Sequence, residues 1–232
     1  MPTEEIIFKH PPAIDVQLGV AFPNNFEVAD QRSRFYKLVR AEFPILVMPE
    51  QNKMTYDFAD YMLQREDTSE RLEVGMNYFR QTSLRYPGFR KFRESFLKAV
   101  GLFSECYELN FFSQLSMAYR NILPLEDQQK YQDMFALKIS LPEIEETELF
   151  AGQGVLVFRN SQGYITVQLE PKIEGPQIKS YSLNLIFMTR PDNPSQFERN
   201  RVVEFAEMAH DNLRRYFFAI LTKRYVEYLS KR

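Results

Sequence analysis

The sequence predicts an α+β fold with a mainly antiparallel sheet, because two kinds of apolar pattern occur in separate groups. Residues 13–22 alternate between apolar and polar side chains, which is typical of a strand with one buried face. Further alternating runs follow, often separated by turn residues rather than by helices. Three other segments carry apolar residues at helical spacing. Strands and helices grouped in this way favour the α+β class over a regular alternation of the two.

Two helices are predicted in the first half of the chain. The first covers residues 27–43, is capped by Asn24 or Asn25, and ends at Pro44. The second covers residues 89–107, where aromatic side chains recur at helical spacing. The inward face predicted for the first helix is Val28, Phe35, Val39 and Phe43, and that for the second is Phe89, Phe92, Phe96, Val100, Phe103 and Tyr107.

The strands predicted around these helices give the order β-α-β(ββ)-α-β. This order is that of a ferredoxin-like βαββαβ-type first half with a longer central meander. We assign it to residues 1–125. The predicted strands are residues 13–22, 45–48, 54–63, 72–79 and 111–123, with a hairpin loop over residues 64–71.

Residues 126–232 are predicted to form a second antiparallel region with a long C-terminal helix, as a separate unit or continuous with the first. Asn160-Ser161-Gln162-Gly163 is typical of a hairpin turn. Ser195 and Glu198 have the spacing of a capping box, after which one helix is predicted to run to the end of the chain. The predicted strands are residues 135–141, 155–158, 164–169 and 178–188.

The apolar residues of the C-terminal helix form two partly overlapping stripes. So wide an apolar face predicts either a deep position in the core or a face shared with a second copy of the chain. The first stripe is Val202, Phe205, Ala209, Tyr216 and Ile220, and the second is Ala206, Leu213, Phe217, Leu221 and Tyr225.

Charge is distributed unevenly although the formal net charge is only −2. Residues 79–98 carry six bases against one acid, whereas residues 126–148 carry seven acids against two bases. The two regions are either solvated faces or surfaces that attract a charged partner or a second copy. Because the bases alternate with aromatic residues, single-stranded nucleic acid is one such partner. The predicted basic surface contains Arg80, Arg85, Arg90, Lys91 and Arg93.

Side chains that usually perform catalysis or bind metals are few. His10, His210 and the single cysteine Cys106 cannot supply a zinc site or an intrachain disulfide. Glycine-rich phosphate-binding motifs are also missing from the sequence, so we predict no cofactor. The N-terminus is acidic, and no stretch approaches the ~20 apolar residues that span a bilayer. We therefore expect a cytoplasmic protein with no membrane partner.

One metal site is nevertheless conceivable from carboxylates alone. Asp57, Asp60 and Glu73 fall on neighbouring predicted strands, where they could bind Mg²⁺. Such a site would make the protein a metal-dependent phosphodiesterase or nuclease. The competing interpretation is that these acids mark the solvent face of a half-exposed sheet.

A polar group at the end of the central strand is the candidate site for a ligand or partner. Its members stand among apolar residues, and burying them without partners would be costly. Either Arg120 pairs with a carboxylate such as Asp57 or Asp60 and fixes the strand pairing, or the group forms the polar end of an apolar pocket. The candidate residues are Tyr119, Arg120, Asn121 and His210.

Short motifs spread over nearly the whole chain carry a family resemblance. They are Pro11-Pro12-Ala13-Ile14, Arg85-Tyr86-Pro87-Gly88-Phe89, Tyr119-Arg120-Asn121-Ile122, and Ala209-His210-Asp211-Asn212 followed by residues 217–222. Together they are similar to a sporadically distributed family of uncharacterised prokaryotic proteins, which begin with a Pro-Pro strand and carry a histidine in the last helix. The resemblance implies a link to mobile or defence-related systems. It supplies no established activity for this chain.

These patterns lead us to expect a non-catalytic binding or interaction protein. We expect a protein partner or self-association through the C-terminal helix. A metal-dependent nuclease and a single-stranded nucleic-acid binding protein are the alternatives.

Overall fold

The α+β class is confirmed by the computed structural model, which describes residues 12–48, 60–125, 130–137, 153–175, 177–190 and 195–231. Within these ranges, nine strands form one antiparallel sheet in the order β2-β3-β4-β5-β1-β7-β10-β9-β8. They are β1 (Ala13–Ala21), β2 (Ile45–Val47), β3 (Tyr61–Gln64), β4 (Glu70–Gly75), β5 (Tyr78–Ser83), β7 (Gln114–Pro124), β8 (Gly154–Arg159), β9 (Gly163–Glu174) and β10 (Gln177–Thr189).

The remaining elements of the described residues are helices and one short strand pair. The pair, β6 (Phe111–Phe112) and β11 (Ser195–Gln196), lies outside the main sheet. The helices are α1 (Phe26–Asp30), α2 (Arg32–Val39), α3 (Phe89–Cys106), α4 (Tyr131–Met134), α5 (Arg199–Ile220) and α6 (Lys223–Lys231).

The core lies on one face of the sheet, beneath the helices. Helix α3 packs on β5, where the rings of Phe79 and Phe103 are 4.7 Å apart. Helix α5 packs on β7 and β10, where Phe187 and Phe205 are 5.9 Å apart. Burial of these aromatic side chains provides a large part of the hydrophobic stabilisation. The inward stripe predicted for α3 is confirmed, since Phe92, Phe96, Val100, Phe103 and Tyr107 are buried and Phe89 packs against the same core.

The first predicted helix is interrupted in the structure. Asn25 caps it as predicted, because its side chain accepts the Glu27 N–H. Gln31 then leaves the helical region, with φ −109° and ψ 35°, and separates α1 from α2. Helix α2 ends before the predicted residue 43. The predicted inward face is nevertheless buried in full, comprising Val28, Phe35, Val39 and Phe43.

The prediction of one strand over residues 72–79 is wrong, because these residues belong to two strands, β4 and β5, that form a hairpin. Its turn lies at Met76 and Asn77, between the paired residues Gly75 and Tyr78. The apolar alternation continues through the turn in the sequence, but the chain reverses there and the buried face passes to Phe79. Glycine suits position 75 at the start of this turn, because a Cβ there would clash with the Tyr78 ring at 2.4 Å.

Three other predictions for the second half are also corrected. Of the strand predicted over residues 135–141, the described part, residues 135–137, forms an isolated bridge between Phe135 and Leu221, and residues 138–141 lie outside the described residues. Ser195 belongs to β11 rather than to a capping box, and the helix N-cap is Glu198, whose side chain makes no capping bond. The single C-terminal helix is two helices, because Leu221 adopts an extended conformation with ψ 147°.

The predicted hairpin at residues 160–163 is confirmed as the β8–β9 turn. The Asn160 side chain accepts the N–H groups of Gln162 and Gly163, at 2.9 and 2.8 Å. Gly163 is required there, since a Cβ would lie 2.1 Å from the carbonyl oxygen of Met188. The turn is therefore fixed both by its own side chain and by its contact with β10.

One sheet contains strands from both predicted halves, because β7 pairs with both β1 and β10. The boundary at residues 125–126 and the ferredoxin-like description of the first half stay predictions. Segment 54–59 of one predicted strand and most of the acidic region 126–148 lie outside the described residues. Within the described ranges, no helix has the length and apolar character needed to cross a membrane.

Candidate functional site

Two of the four predicted site residues meet in the structure. The Tyr119 hydroxyl on β7 lies 2.8 Å from Nδ1 of His210 on α5. Tyr86, in the loop before α3, places its hydroxyl 3.0 Å from that of Tyr119. Phe89, in the first turn of α3, stacks on the imidazole with ring centroids 4.1 Å apart. The sheet and both long helices thus converge on one hydrogen-bonded group, which we call the Tyr119 cluster.

Burial sets the protonation states in the Tyr119 cluster. It raises the pKa of Tyr119 well above the ordinary value of a phenol and raises the pKa of Tyr86 to about 12. It lowers the pKa of His210 from 6.5, and the nearby Asp211 carboxylate opposes that shift. Two phenols and a neutral imidazole are therefore present near pH 7. Tyr86, Tyr119 and His210 are not among the residues that line the cleft described below.

Arg120 and Asn121 do not join the Tyr119 cluster. Because side chains alternate along β7, Arg120 lies on the opposite face of the sheet, where it contacts Asp15 at 2.6 Å. An ion pair was one of the two interpretations, although its carboxylate is Asp15 rather than Asp57 or Asp60. Burial raises the pKa of Asp15, while Arg120 acts in the lowering direction. Asn121 is buried and donates to the Leu183 carbonyl at 3.1 Å.

The five predicted basic residues are distributed over both faces of the sheet. Arg80 lies on the face away from α3, 3.2 Å from Glu73. Arg93 lies on the helical side, packs over the Phe89 ring and pairs with Glu207 of α5. Arg85, before α3, and Arg90 and Lys91, in the first turn of α3, are exposed.

The predicted carboxylate site is only partly described, because Asp57 lies outside the described residues. Asp60 accepts a hydrogen bond from the Tyr78 hydroxyl at 2.6 Å. Glu73 accepts from Arg71 at 2.8 Å and from Arg80 at 3.2 Å. Each carboxylate oxygen of Glu73 therefore accepts a hydrogen bond from a guanidinium group. Over the residues that the structure describes, no group of three His, Cys, Asp or Glu side chains is arranged to hold a metal.

A buried polar network on the helical side was not predicted. Glu70 accepts hydrogen bonds at one carboxylate oxygen from Arg65 at 3.0 Å, Gln81 at 3.1 Å and Ser95 at 3.1 Å. These contacts connect β4, β5 and α3. The signal in the sequence is that Glu70 shares the buried period of two with Leu72. A charged residue in that position should have partners.

The edge strand β8 is a second feature that sequence analysis did not assign to a site. Its side chains are exposed throughout, although four successive ones are apolar. The exposed fractions are 61% for Val155, 44% for Leu156, 62% for Val157 and 38% for Phe158. The sequence indicated a short apolar strand but could not show that it lies at the edge of the sheet.

A cleft of about 500 Å³ lies at the end of the sheet beside the first turns of α5. Its apolar wall includes Leu115 of β7 and Phe205 of α5, and Arg190 and Arg201 contribute guanidinium groups. The cleft combines residues from β7, β10, the β8–β9 turn and α5, which are far apart in the sequence. No local motif could therefore have predicted it.

Comparisons of this chain with family models, curated proteins and solved structures found no match. The family resemblance given by the sequence motifs, with its link to mobile or defence-related systems, stays a prediction.

Proposed function

We propose that this protein is a non-catalytic binding protein that associates with a second copy of itself through the outer edge of β8. The observation that supports the proposal is the run of four exposed apolar residues, Val155 to Phe158. Contiguous exposed apolar surface is a common feature of interaction sites. Covering it would remove apolar area from water, which is the main driving force of association.

The backbone of β8 also favours strand addition. Within the described part of the chain, β8 has one strand neighbour, β9, so its outer N–H and C=O groups face away from the sheet. Natural edge strands usually carry Lys, Pro or a bulge that prevents pairing with another chain. β8 contains neither Lys nor Pro, and its register with β9 is continuous. These features make β8 a template for another strand.

Both faces of β8 would contribute to the interface. By strand alternation, Val155 and Val157 lie on the face away from the helices. Leu156 and Phe158 lie on the helical face, where the Phe158 ring is 5.1 Å from that of Tyr216. A strand added to this edge would therefore find apolar partners above and below the sheet.

A second copy is the occupant that we favour, because β8 complements itself in an antiparallel pair. With a two-fold axis at Leu156, that residue faces its own copy, and Val155 lies opposite Val157 of the second copy. The only charged residue in the strand, Arg159, falls at opposite ends of the pair. Like charges therefore do not face each other, and the apolar cross-strand pairs stabilise the register.

This proposal moves the predicted self-association from the C-terminal helix to β8. The apolar stripes that motivated the earlier expectation are largely buried within the chain, including Phe217, Leu221 and Tyr225. Exposed apolar area on β8 is a stronger reason for association than area already covered by the protein's own core.

Light scattering coupled to size exclusion tests the proposal across a range of protein concentrations. We expect the wild-type protein to show a dimer mass at high concentration. Val157→Lys should raise the dimer dissociation constant by about tenfold or more. In the proposed pairing, each copy would then place a Lys side chain opposite the apolar Val155 of the other copy. Val157 is exposed, so the fold should tolerate this change.

Leu46→Lys is the matched control, because Leu46 is a 47% exposed residue of β2 at the opposite edge of the sheet. It should leave the dimer unchanged. A wild-type monomer at every concentration would overturn the proposal. A dimer that is disrupted by Leu46→Lys but not by Val157→Lys would equally exclude β8 as the interface.

A further inference from the structure

We infer that the cleft beside α5 binds a small anion, a carboxylate or phosphate group attached to an apolar body, and that Arg190 holds the charged group. The cleft has a volume of about 500 Å³, which is in the range typical of small-molecule sites. This site is independent of the dimer interface proposed above, because it rests on different residues and a different kind of partner.

The key residue is Arg190, whose guanidinium has no counter-charge among the residues that the structure describes. Nη2 donates to the Asn160 carbonyl oxygen at 2.8 Å, whereas Nε is buried and finds no hydrogen-bond partner within the described part of the chain. Among the described carboxylates, none lies within ion-pair distance of Arg190. A partly buried cation without an anion is costly, and a bound anion would relieve that cost.

The position of Arg190 is fixed before any ligand arrives. Asn160, which accepts its hydrogen bond, is held in the β8–β9 turn by its own side-chain contacts. Thr189, the preceding residue, accepts the Leu115 N–H at its hydroxyl and the Gln114 side-chain amide at its carbonyl, both at 3.0 Å. The cation is therefore anchored from two directions, and preorganisation of this kind lowers the entropic cost of binding.

The residues that α5 contributes to the cleft indicate what else the ligand should contain. Arg201 contributes a second guanidinium that is half exposed and pairs with Glu198 at 3.4 Å. An exposed pair of this kind is weak and can exchange for a ligand. Phe205 and Met208 supply apolar surface, while Glu204 is a carboxylate in the same lining. The single acid disfavours a highly charged anion, and the apolar wall favours a ligand with a ring or short chain.

Isothermal titration calorimetry with benzoate and phenyl phosphate tests the inference, with neutral benzamide as the comparison ligand. We expect saturable binding of at least one anion and weaker binding of benzamide by about tenfold or more. The two anions separate the carboxylate from the phosphate form of the same chemistry. Failure of both anions to bind would overturn the inference.

Arg190→Met removes the charge and keeps most of the aliphatic stem, and it should weaken anion binding by about tenfold or more. Arg199→Met is the matched control, because Arg199 is an exposed residue at the start of α5 that does not line the cleft. Wild-type affinity in Arg190→Met, or equal losses in both variants, would contradict the proposed role of Arg190.

A second variant keeps the inference testable if Arg190→Met does not fold. Met208→Trp should fill part of the cleft and reduce anion binding without changing the charge. Circular dichroism and thermal unfolding establish that each variant is folded before titration. Unchanged binding in a folded Met208→Trp variant would place the anion outside this cleft and overturn the inference.

Discussion

Single polar side chains inside this fold differ in how completely the surrounding protein satisfies them. Asn121 is buried and donates to a β10 carbonyl, while Asp15 receives the Arg120 guanidinium across the β1–β7 pair. His210 is connected to β7 through Tyr119 and to α3 through the Phe89 ring. These contacts explain why isolated polar residues occur in an apolar context, as buried polar groups need partners.

His210 should make folding stability depend on pH. Burial lowers its pKa in the folded protein from 6.5, so the unfolded chain binds a proton first as the pH falls. The stabilisation is complete above the unfolded-state value and is lost as the pH falls through 6.5 towards the lower folded-state value. Chemical unfolding at a series of pH values should therefore show an unfolding free energy that decreases over this window.

His210→Phe provides the comparison, because it keeps a ring against Phe89 but cannot titrate. Subtracting the pH dependence of the unfolding free energy of this variant from that of the wild type removes the contributions of the other titrating groups, including Asp15. His10→Gln is the control, since the sequence contains only these two histidines. It should retain the wild-type slope. The explanation fails if the unfolding free energy of His210→Phe decreases as much as that of the wild type when the pH falls from 7 to below the folded-state pKa of His210.

For single residues, the sequence predicted which side chains need a polar partner, but it did not predict which residue that partner is. It required a partner for Arg120, yet the actual carboxylate belongs to a strand more than a hundred residues away in the chain. Only the β1–β7 register places Asp15 opposite Arg120. Tyr119 and His210 were both selected as candidates, but their contact depends on how α5 crosses β7.

Secondary-structure elements were predicted well where one periodicity applied throughout. The spacing of aromatic residues predicted α3 and its buried face, and the Asn160 turn predicted the β8–β9 hairpin. The strand over residues 72–79 failed because alternation continued across a tight turn. The C-terminal helix was predicted without its break, because the apolar spacing continues across it; Thr222 caps α6, accepting the Tyr225 N–H at its hydroxyl at 3.2 Å.

The Glu70 network should be a major connection between β4, β5 and α3. Glu70→Ala removes the acceptor for Arg65, Gln81 and Ser95 and leaves these donors without a common partner. We expect the unfolding free energy to decrease by about 2–4 kcal/mol, the usual cost of breaking a buried charged network. Urea unfolding followed by circular dichroism measures this change.

Glu66→Ala is the matched control, because Glu66 is exposed in the adjacent β3–β4 loop. Its effect should stay within about 0.5 kcal/mol, as for most surface substitutions. Similar losses in the two variants would show that the Glu70 contacts contribute little beyond a general effect of removing negative charge.

The main sheet is organised by strand pairing between the two predicted halves. β7 comes from the first half and β10 from the second, and they pair over nine residues from Met188–Ser116 to Ser180–Pro124. The sequence predicted these two strands separately, but it could not predict their pairing. Long-range strand pairing is fixed by the total burial of the core rather than by local propensity. The same reason explains why the cleft and the exposed edge β8 were not predicted as sites.

Because one sheet runs through both halves, we expect the chain to unfold as one cooperative unit. Phe187 of β10 is fully buried against Phe205, and Phe187→Ala should lower the unfolding free energy by about 3–5 kcal/mol. Hydrogen exchange should then show reduced protection in β9 and β10 and also in β3–β5. Phe111→Ala is the control, because this ring is 52% exposed and its loss should change protection little. If β3–β5 kept wild-type protection in Phe187→Ala, the two halves would be independent folding units despite their shared sheet.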